Sequence, residues 1–168
     1  MEERLKALEA AIKFEEEGRE FYIKASETTS QSHPKDLFKS LSEAEDKHIT
    51  RAKEIYERLK SENKWPKFVT PTEDNMGKKS VFPKDPKITD NELAEITDAL
   101  NIGIEMEEKS IRFYDDLAQE ATDPFEKRFY IALSREERGH YLDLWDYQEY
   151  LQNPAGWFAM KEGFRLDG

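Results

Sequence analysis

Four stretches of the chain carry apolar residues at alternating spacings of three and four positions, with charged residues between them. This period predicts amphipathic helices whose apolar seams face a common core. Start signals support the ends, such as Thr89 and Glu92, which have the spacing of a capping box. The predicted helices cover about residues 2–27, 34–62, 90–120 and 123–152.

The connections between these helices predict how they are arranged. Short turns join the first helix to the second and the third to the fourth, so each pair should form an antiparallel hairpin. Residues 63–89 lie between the hairpins, contain four prolines and are long enough to cross the length of a bundle. We therefore expect an all-α fold, with residues 1–152 forming a four-helix bundle of two hairpins and one long crossover.

Residues 153–168 follow the bundle as an aromatic tail that contains Trp157, Phe158 and Phe164. We expect this tail to pack on the bundle, because aromatic side chains gain free energy when they are buried. Docking of a partner protein is the alternative reading of the same residues.

The second half of the sequence repeats the first at a constant offset of 92 residues. One offset persists through two helices and the turn between them, which indicates a duplicated helical hairpin with approximate two-fold symmetry. The matched polar and aromatic pairs are Glu15 with Glu107, Tyr22 with Tyr114, Glu45 with Glu137, and His48 with His140.

Charged residues interrupt the middle of every apolar seam. Glu45 and His48 on the second helix form a Glu-x-x-His motif, and Glu137 and His140 repeat it on the fourth. A spacing of three places both side chains of a motif on one helix face. The first and third helices each add one glutamate beside small residues, so the predicted site comprises Glu15, Glu45, His48, Glu107, Glu137 and His140.

Four glutamates in a bundle core would carry four negative charges. Each unpaired buried ion costs several kcal/mol, whereas a whole domain is stable by about 5–15 kcal/mol. Two divalent cations would neutralise all four charges. The alternative is pairing with arginine or histidine, but Arg19 is the one arginine that we identify as a potential partner near the seams.

The donor types narrow the choice of metal. A glutamate from each of two helices and Glu-x-x-His from each of two others is the ligand pattern of di-iron and di-manganese bundles. Carboxylate and imidazole donors without thiolate suit iron or manganese better than copper or structural zinc. We expect two Fe ions, with Mn or Zn as possible substitutes. Tyr22 and Tyr114 lie two turns beyond Glu15 and Glu107 on the same faces, so they either donate hydrogen bonds to the carboxylates or simply pack.

Composition excludes several other functions. The net charge of −11 disfavours nucleic-acid binding. The absence of cysteine excludes disulfides, iron–sulfur clusters and thiol catalysis. The charged start of the sequence does not read as a signal peptide, and no apolar run is long enough to span a membrane, so we expect a cytoplasmic protein.

The four motifs together resemble the rubrerythrin branch of the ferritin-like superfamily, over about residues 1–152. The resemblance implies a ferritin-like four-helix bundle, a non-haem di-iron centre and a homodimer. It also implies reduction of hydrogen peroxide, or O₂, in oxidative-stress defence. Without cysteines for its own rubredoxin domain, this chain would take electrons from a separate donor such as a rubredoxin-type protein.

One departure from the family bears on the site. Well-studied rubrerythrins carry an additional carboxylate three residues beyond the ligand of the third helix, where this chain has Ser110. We therefore expect a near-symmetric centre with six ligands. The alternative functions are a ferroxidase or iron store, an oxidase of an organic substrate, and a structural or binding bundle.

Overall fold

The described part of the chain contains five helices, and capping residues mark the ends of several of them. A computed structural model describes residues 2–67, 82–83 and 87–166, without the side chains of residues 162–166. The helices are α1 (Glu2–Thr28), α2 (Ser32–Glu62), α3 (Asp90–Glu120), α4 (Pro124–Gln152) and α5 (Pro154–Leu166).

Local hydrogen bonds fix the helix ends. The capping box of α3 is present, since the Thr89 side chain accepts from the Glu92 backbone N–H and the Glu92 carboxylate accepts from that of Thr89. At α4 the Asp123 carboxylate accepts two backbone N–H groups, one of them from Phe125 at 2.8 Å. Helix α2 is followed by the capping residue Asn63, which adopts the left-handed conformation with φ of 55°.

The long helices pack as two antiparallel hairpins, α1 with α2 and α3 with α4. The hairpins meet where α1 contacts α3 and where α2 contacts α4. This arrangement confirms the predicted all-α bundle of two hairpins. Most of the expected crossover, residues 63–89, lies outside the described residues. None of the described helices combines the length and the apolarity needed to cross a lipid bilayer.

The bundle core consists of two apolar clusters. One contains Leu8, Ala52 and Leu133, and the other contains Leu41, Leu100 and Leu144. Along each long helix the predicted ligands fall between the stretch that enters the first cluster and the stretch that enters the second. The sequence therefore places a polar layer between two apolar layers, shielded from water at both ends of the bundle.

The residues after Gln152 form a helix, α5, where the sequence pattern predicts only an aromatic tail. Asn153 has a non-helical backbone conformation and separates α4 from α5. Its side-chain oxygen accepts the Gly156 N–H at 3.0 Å and so caps the start of α5. The Trp157 ring lies 4.9 Å from the Phe82 ring, and its indole N–H donates to Asp146 at 3.0 Å. Helix α5 thus packs against α4, while the Phe164 side chain lies outside the described residues.

Candidate metal centre

All six predicted ligands are buried and lie in one layer of the bundle. Their donor atoms form two groups, and within each group the atoms lie no more than 4.8 Å apart. The members of the two groups are Glu15, Glu45, His48 and Glu137, and Glu45, Glu107, Glu137 and His140. Two glutamates, Glu45 and Glu137, therefore belong to both groups.

The first group is centred on the Nδ1 atom of His48. This nitrogen lies 3.1 Å from Glu15 Oε2, 3.2 Å from Glu45 Oε2 and 3.0 Å from Glu137 Oε1. One N–H group cannot donate hydrogen bonds to three carboxylates at once. The imidazole and the three carboxylates therefore lie closer together than hydrogen bonding alone explains. Donors at right angles around one cation, with bonds of about 2.1 Å, would lie about 3 Å apart.

The second group is wider. His140 Nδ1 lies 3.7 Å from Glu45 Oε1 and 3.8 Å from both Glu107 Oε1 and Glu137 Oε2. The two imidazole rings lie nearly parallel, with centroids 5.5 Å apart. His140 is 7% exposed, whereas His48 is fully buried.

Each shared glutamate offers a different oxygen to each group. Glu45 directs Oε2 toward His48 and Oε1 toward His140. Glu137 directs Oε1 toward His48 and Oε2 toward His140. This is the geometry required for two carboxylates that bridge two cations.

Unpartnered atoms test whether the residues fit such cations. Three buried atoms of the centre have no hydrogen-bond partner: Glu45 Oε2, Glu137 Oε1 and His140 Nδ1. A buried polar atom without a partner is costly. All three are oxygen or nitrogen atoms of the kind that bind metal ions, and all three point into the two groups. The donor set therefore fits two divalent cations.

The two tyrosines bond across the hairpins. The Tyr22 hydroxyl donates to Glu107 Oε1, and the Tyr114 hydroxyl donates to Glu15 Oε1. Each tyrosine thus serves the glutamate of the other half of the repeat, rather than the glutamate on its own helix. Both roles that the sequence left open are present, since the hydroxyls donate to the carboxylates and the rings pack in the two apolar clusters.

Gly103 makes room for one of these contacts. A Cβ atom at this position would lie 3.3 Å from Tyr22 Cε1 and 3.1 Å from Leu144 Cδ1. Gly18 lies against the Glu45 side chain with more space, since a Cβ there would be 3.5 Å from Glu45 Oε1. Ser110 is buried beside the centre and adds no carboxylate to either group.

Sequence reasoning missed one acidic residue at the centre. Glu136 Oε2 accepts from the His48 Nε2–H at 2.7 Å, and Arg51 holds the Glu136 carboxylate with contacts of 3.3 and 3.4 Å. Arg19, which we had considered as a partner for the glutamates, instead donates to Asp46 at an exposed position. The signal for Glu136 was only its position beside Glu137, because the repeat does not duplicate it.

Four carboxylates in one buried layer dominate the electrostatics of the centre. Burial, and then the charges of neighbouring glutamates, raise the pKa of Glu45 and of Glu107 well above the usual range. Burial also acts to raise the pKa of Glu137, but the nearby imidazoles of His140 and His48 outweigh it and lower that pKa.

The pKa of His48 is also raised. Burial acts to lower its pKa, yet Glu15, Glu136 and Glu137 outweigh burial and raise it. Burial, followed by the glutamate charges, raises the pKa of Tyr22 and of Tyr114, so both hydroxyls keep their protons. Protons on Glu45, Glu107 and His48 therefore offset part of the negative charge of the centre.

Comparison with known proteins agrees with this arrangement. A sequence model of the rubrerythrin family matches residues 6–146. Among solved structures, the chain is similar to a hypothetical protein from Pyrococcus furiosus, with 26% identity and a TM-score of 0.67, over 89% of this chain and 90% of that one. Curated protein sequences give no match.

The family match spans most of the chain and includes all six residues of the centre. It confirms the resemblance that the sequence motifs indicated, and the 168 residues contain none of the cysteines with which a rubredoxin-type domain binds iron. The chain belongs to the rubrerythrin family.

Proposed function

We propose that this protein is a di-iron oxidoreductase that reduces hydrogen peroxide, or O₂, with electrons from a separate donor protein. The observation that carries the proposal is the pair of donor groups joined by Glu45 and Glu137. Two shared carboxylates would hold two ions close enough to act on one small substrate. When bound as Fe(II), the two ions supply the two electrons that convert one peroxide, with two protons, into two waters.

The surrounding residues support redox chemistry on a small substrate. The apolar clusters on both sides exclude bulk water, which strengthens electrostatic interactions within the centre. The Tyr22 and Tyr114 hydroxyls donate to Glu107 Oε1 and Glu15 Oε1 and fix the orientation of those carboxylates. The partial exposure of His140 places its side of the centre nearer to solvent, and hence to an incoming oxidant.

Stopped-flow mixing of the diferrous protein with peroxide tests the proposal. We expect oxidation much faster than that of free Fe(II), followed by re-reduction and further turnover when a reduced rubredoxin-type protein is added. Oxidation no faster than that of free Fe(II) would refute peroxide reduction. The Glu45→Gln variant serves as the control, because it removes a carboxylate that both groups share.

The same experiment distinguishes peroxide reduction from the alternative function, iron handling. A ferroxidase would oxidise added Fe(II) beyond two ions per chain and accumulate ferric mineral without any electron donor. Sedimentation of iron with the protein, together with no gain from the donor, would favour that function. A donor-dependent consumption of peroxide at two bound ions per chain would favour the oxidoreductase.

A further inference from the structure

The two halves of the repeat differ at the positions that could hydrogen-bond to the ligating histidines. At an offset of 92, Glu136 corresponds to Ala44 and Arg51 corresponds to Asp143. The His48 half of the centre therefore has a carboxylate and an arginine at positions where the His140 half has a methyl group and an exposed carboxylate.

The contacts on the His48 side form a chain. Arg51 contacts both oxygens of Glu136, and Glu136 accepts from His48 Nε2 at 2.7 Å, while His48 Nδ1 faces the first donor group. These side chains are little exposed, at 9% for Arg51, 13% for Glu136 and 0% for His48. The hydrogen bonds are accordingly poorly accessible to competing water.

A carboxylate on the outer nitrogen has two effects on a ligating histidine. It keeps the proton on Nε2, so the Nδ1 lone pair remains for the metal, and it makes the ring a better donor. Removing such a partner typically costs about 10–100-fold in metal affinity. Ala44 cannot supply this hydrogen bond to His140, whose Nδ1 has wider contacts of 3.7–3.8 Å.

We infer that Glu136 makes the two metal positions unequal. The position formed by Glu15 and His48 with the shared glutamates binds a divalent cation more tightly and fills first. The position of Glu107 and His140 fills second and exchanges its ion more readily. This inference rests on the two-metal centre of the proposed function, but not on the reaction that the centre performs.

Titration of the metal-free protein with Co²⁺, followed by its visible absorption, tests the inequality. We expect two steps, and a crystal grown with one equivalent should show anomalous scattering beside His48. In Glu136→Gln the first step should weaken about 10–100-fold, while the second remains unchanged. Glu108→Gln is the matched control, because it also removes a carboxylate adjacent in sequence to a ligand but lies on the half-exposed surface.

Because Glu136→Gln leaves Arg51 without its charge partner, a double variant with Arg51→Met and Glu136→Gln leaves no unpaired buried charge there. It should show the same selective loss of the first step. Two equal steps in the native protein, a first ion beside His140, or an unchanged first step in both variants would overturn the inference. Failure to bind Co²⁺ at all would overturn the metal centre itself, and with it the proposed function.

Discussion

Tyr114 on α3 donates its hydroxyl hydrogen bond to Glu15 on α1, across the interface between the two hairpins. Tyr22 on α1 returns the same contact to Glu107 on α3. The two bonds follow from the two-fold repeat, since each half supplies one tyrosine and one glutamate. They tie the docking of the hairpins to the orientation of the outer ligands.

Removing one of these hydroxyls should destabilise the metal-free protein. Tyr114→Phe leaves Glu15 Oε1 without its donor in a buried layer, which should cost about 1–3 kcal/mol of unfolding free energy. Urea denaturation of the metal-free variant measures this loss. Tyr56→Phe is the control, because Tyr56 also donates to a glutamate, Glu9, but on the exposed surface. Equal effects of both variants would contradict the assigned role.

Variants of the shared and the unshared glutamates should bind different numbers of metal ions per chain. Glu137→Gln removes an oxygen donor from both groups, so it should lower binding at both positions. Glu15→Gln alters only the first group and should leave about one ion per chain bound. Equilibrium dialysis with elemental analysis gives the number of ions. Loss of both ions from Glu15→Gln, with one retained by Glu137→Gln, would reverse the assignment of bridging and outer ligands.

The metal-free protein should become less stable as pH rises. Because the pKa values of Glu45 and Glu107 are raised by folding, the folded state binds more protons than the unfolded state above about pH 4.5. Stability therefore falls as pH rises through the raised values. His48 acts in the same direction, because its stabilisation is complete below about pH 6.5 and is lost as pH rises through its raised pKa.

Glu137 has a lowered pKa, and its contribution is lost only on acidification below about pH 4.5. Chemical denaturation at about pH 6 and about pH 8 should thus show the lower stability at the higher pH. Saturating Mn²⁺ should reverse the order, since metal replaces the protons. A metal-free protein that gains stability over this range would contradict the electrostatic account.

Gly103 should not tolerate a side chain. Gly103→Ala brings a methyl group to 3.1 Å from Leu144 Cδ1 and 3.3 Å from the Tyr22 ring, so it should displace Tyr22 and cost about 1–3 kcal/mol. Gly18→Ala is the matched control on the other hairpin, with its nearest contact at 3.5 Å. The control should be neutral or stabilising, because alanine favours a helix over glycine by about 1 kcal/mol. Thermal denaturation of both variants compares them, and equal melting temperatures would refute the crowding at Gly103.

Local sequence signals predict much of the fold because they act within one helix. The period of the seams, the capping box at Thr89 and the proline at position 124 are each properties of neighbouring residues. The same seams brought the six candidate ligands to attention, since a charged residue at the centre of an apolar stripe must face the core. The repeat then placed the two halves opposite each other.

Such local signals do not predict the contacts between helices. That Tyr22 bonds to Glu107 and not to a group on its own side depends on how α1 and α3 are rotated and spaced. Glu136 escaped notice because it stands next to a seam residue and breaks the repeat. The helix after Pro154 was missed because a proline reads equally as a break and as a first helical residue.

The shared glutamates have a consequence for how the protein gives up its ions. Each donor group takes three ligands from one hairpin and a fourth from the other, with Glu45 and Glu137 exchanged between them. A bound cation is thus a crosslink between two halves that the chain itself joins only through a long connection. Separation of the hairpins would remove ligands from both positions, so conditions that weaken the contacts between the hairpins should accelerate metal exchange at both.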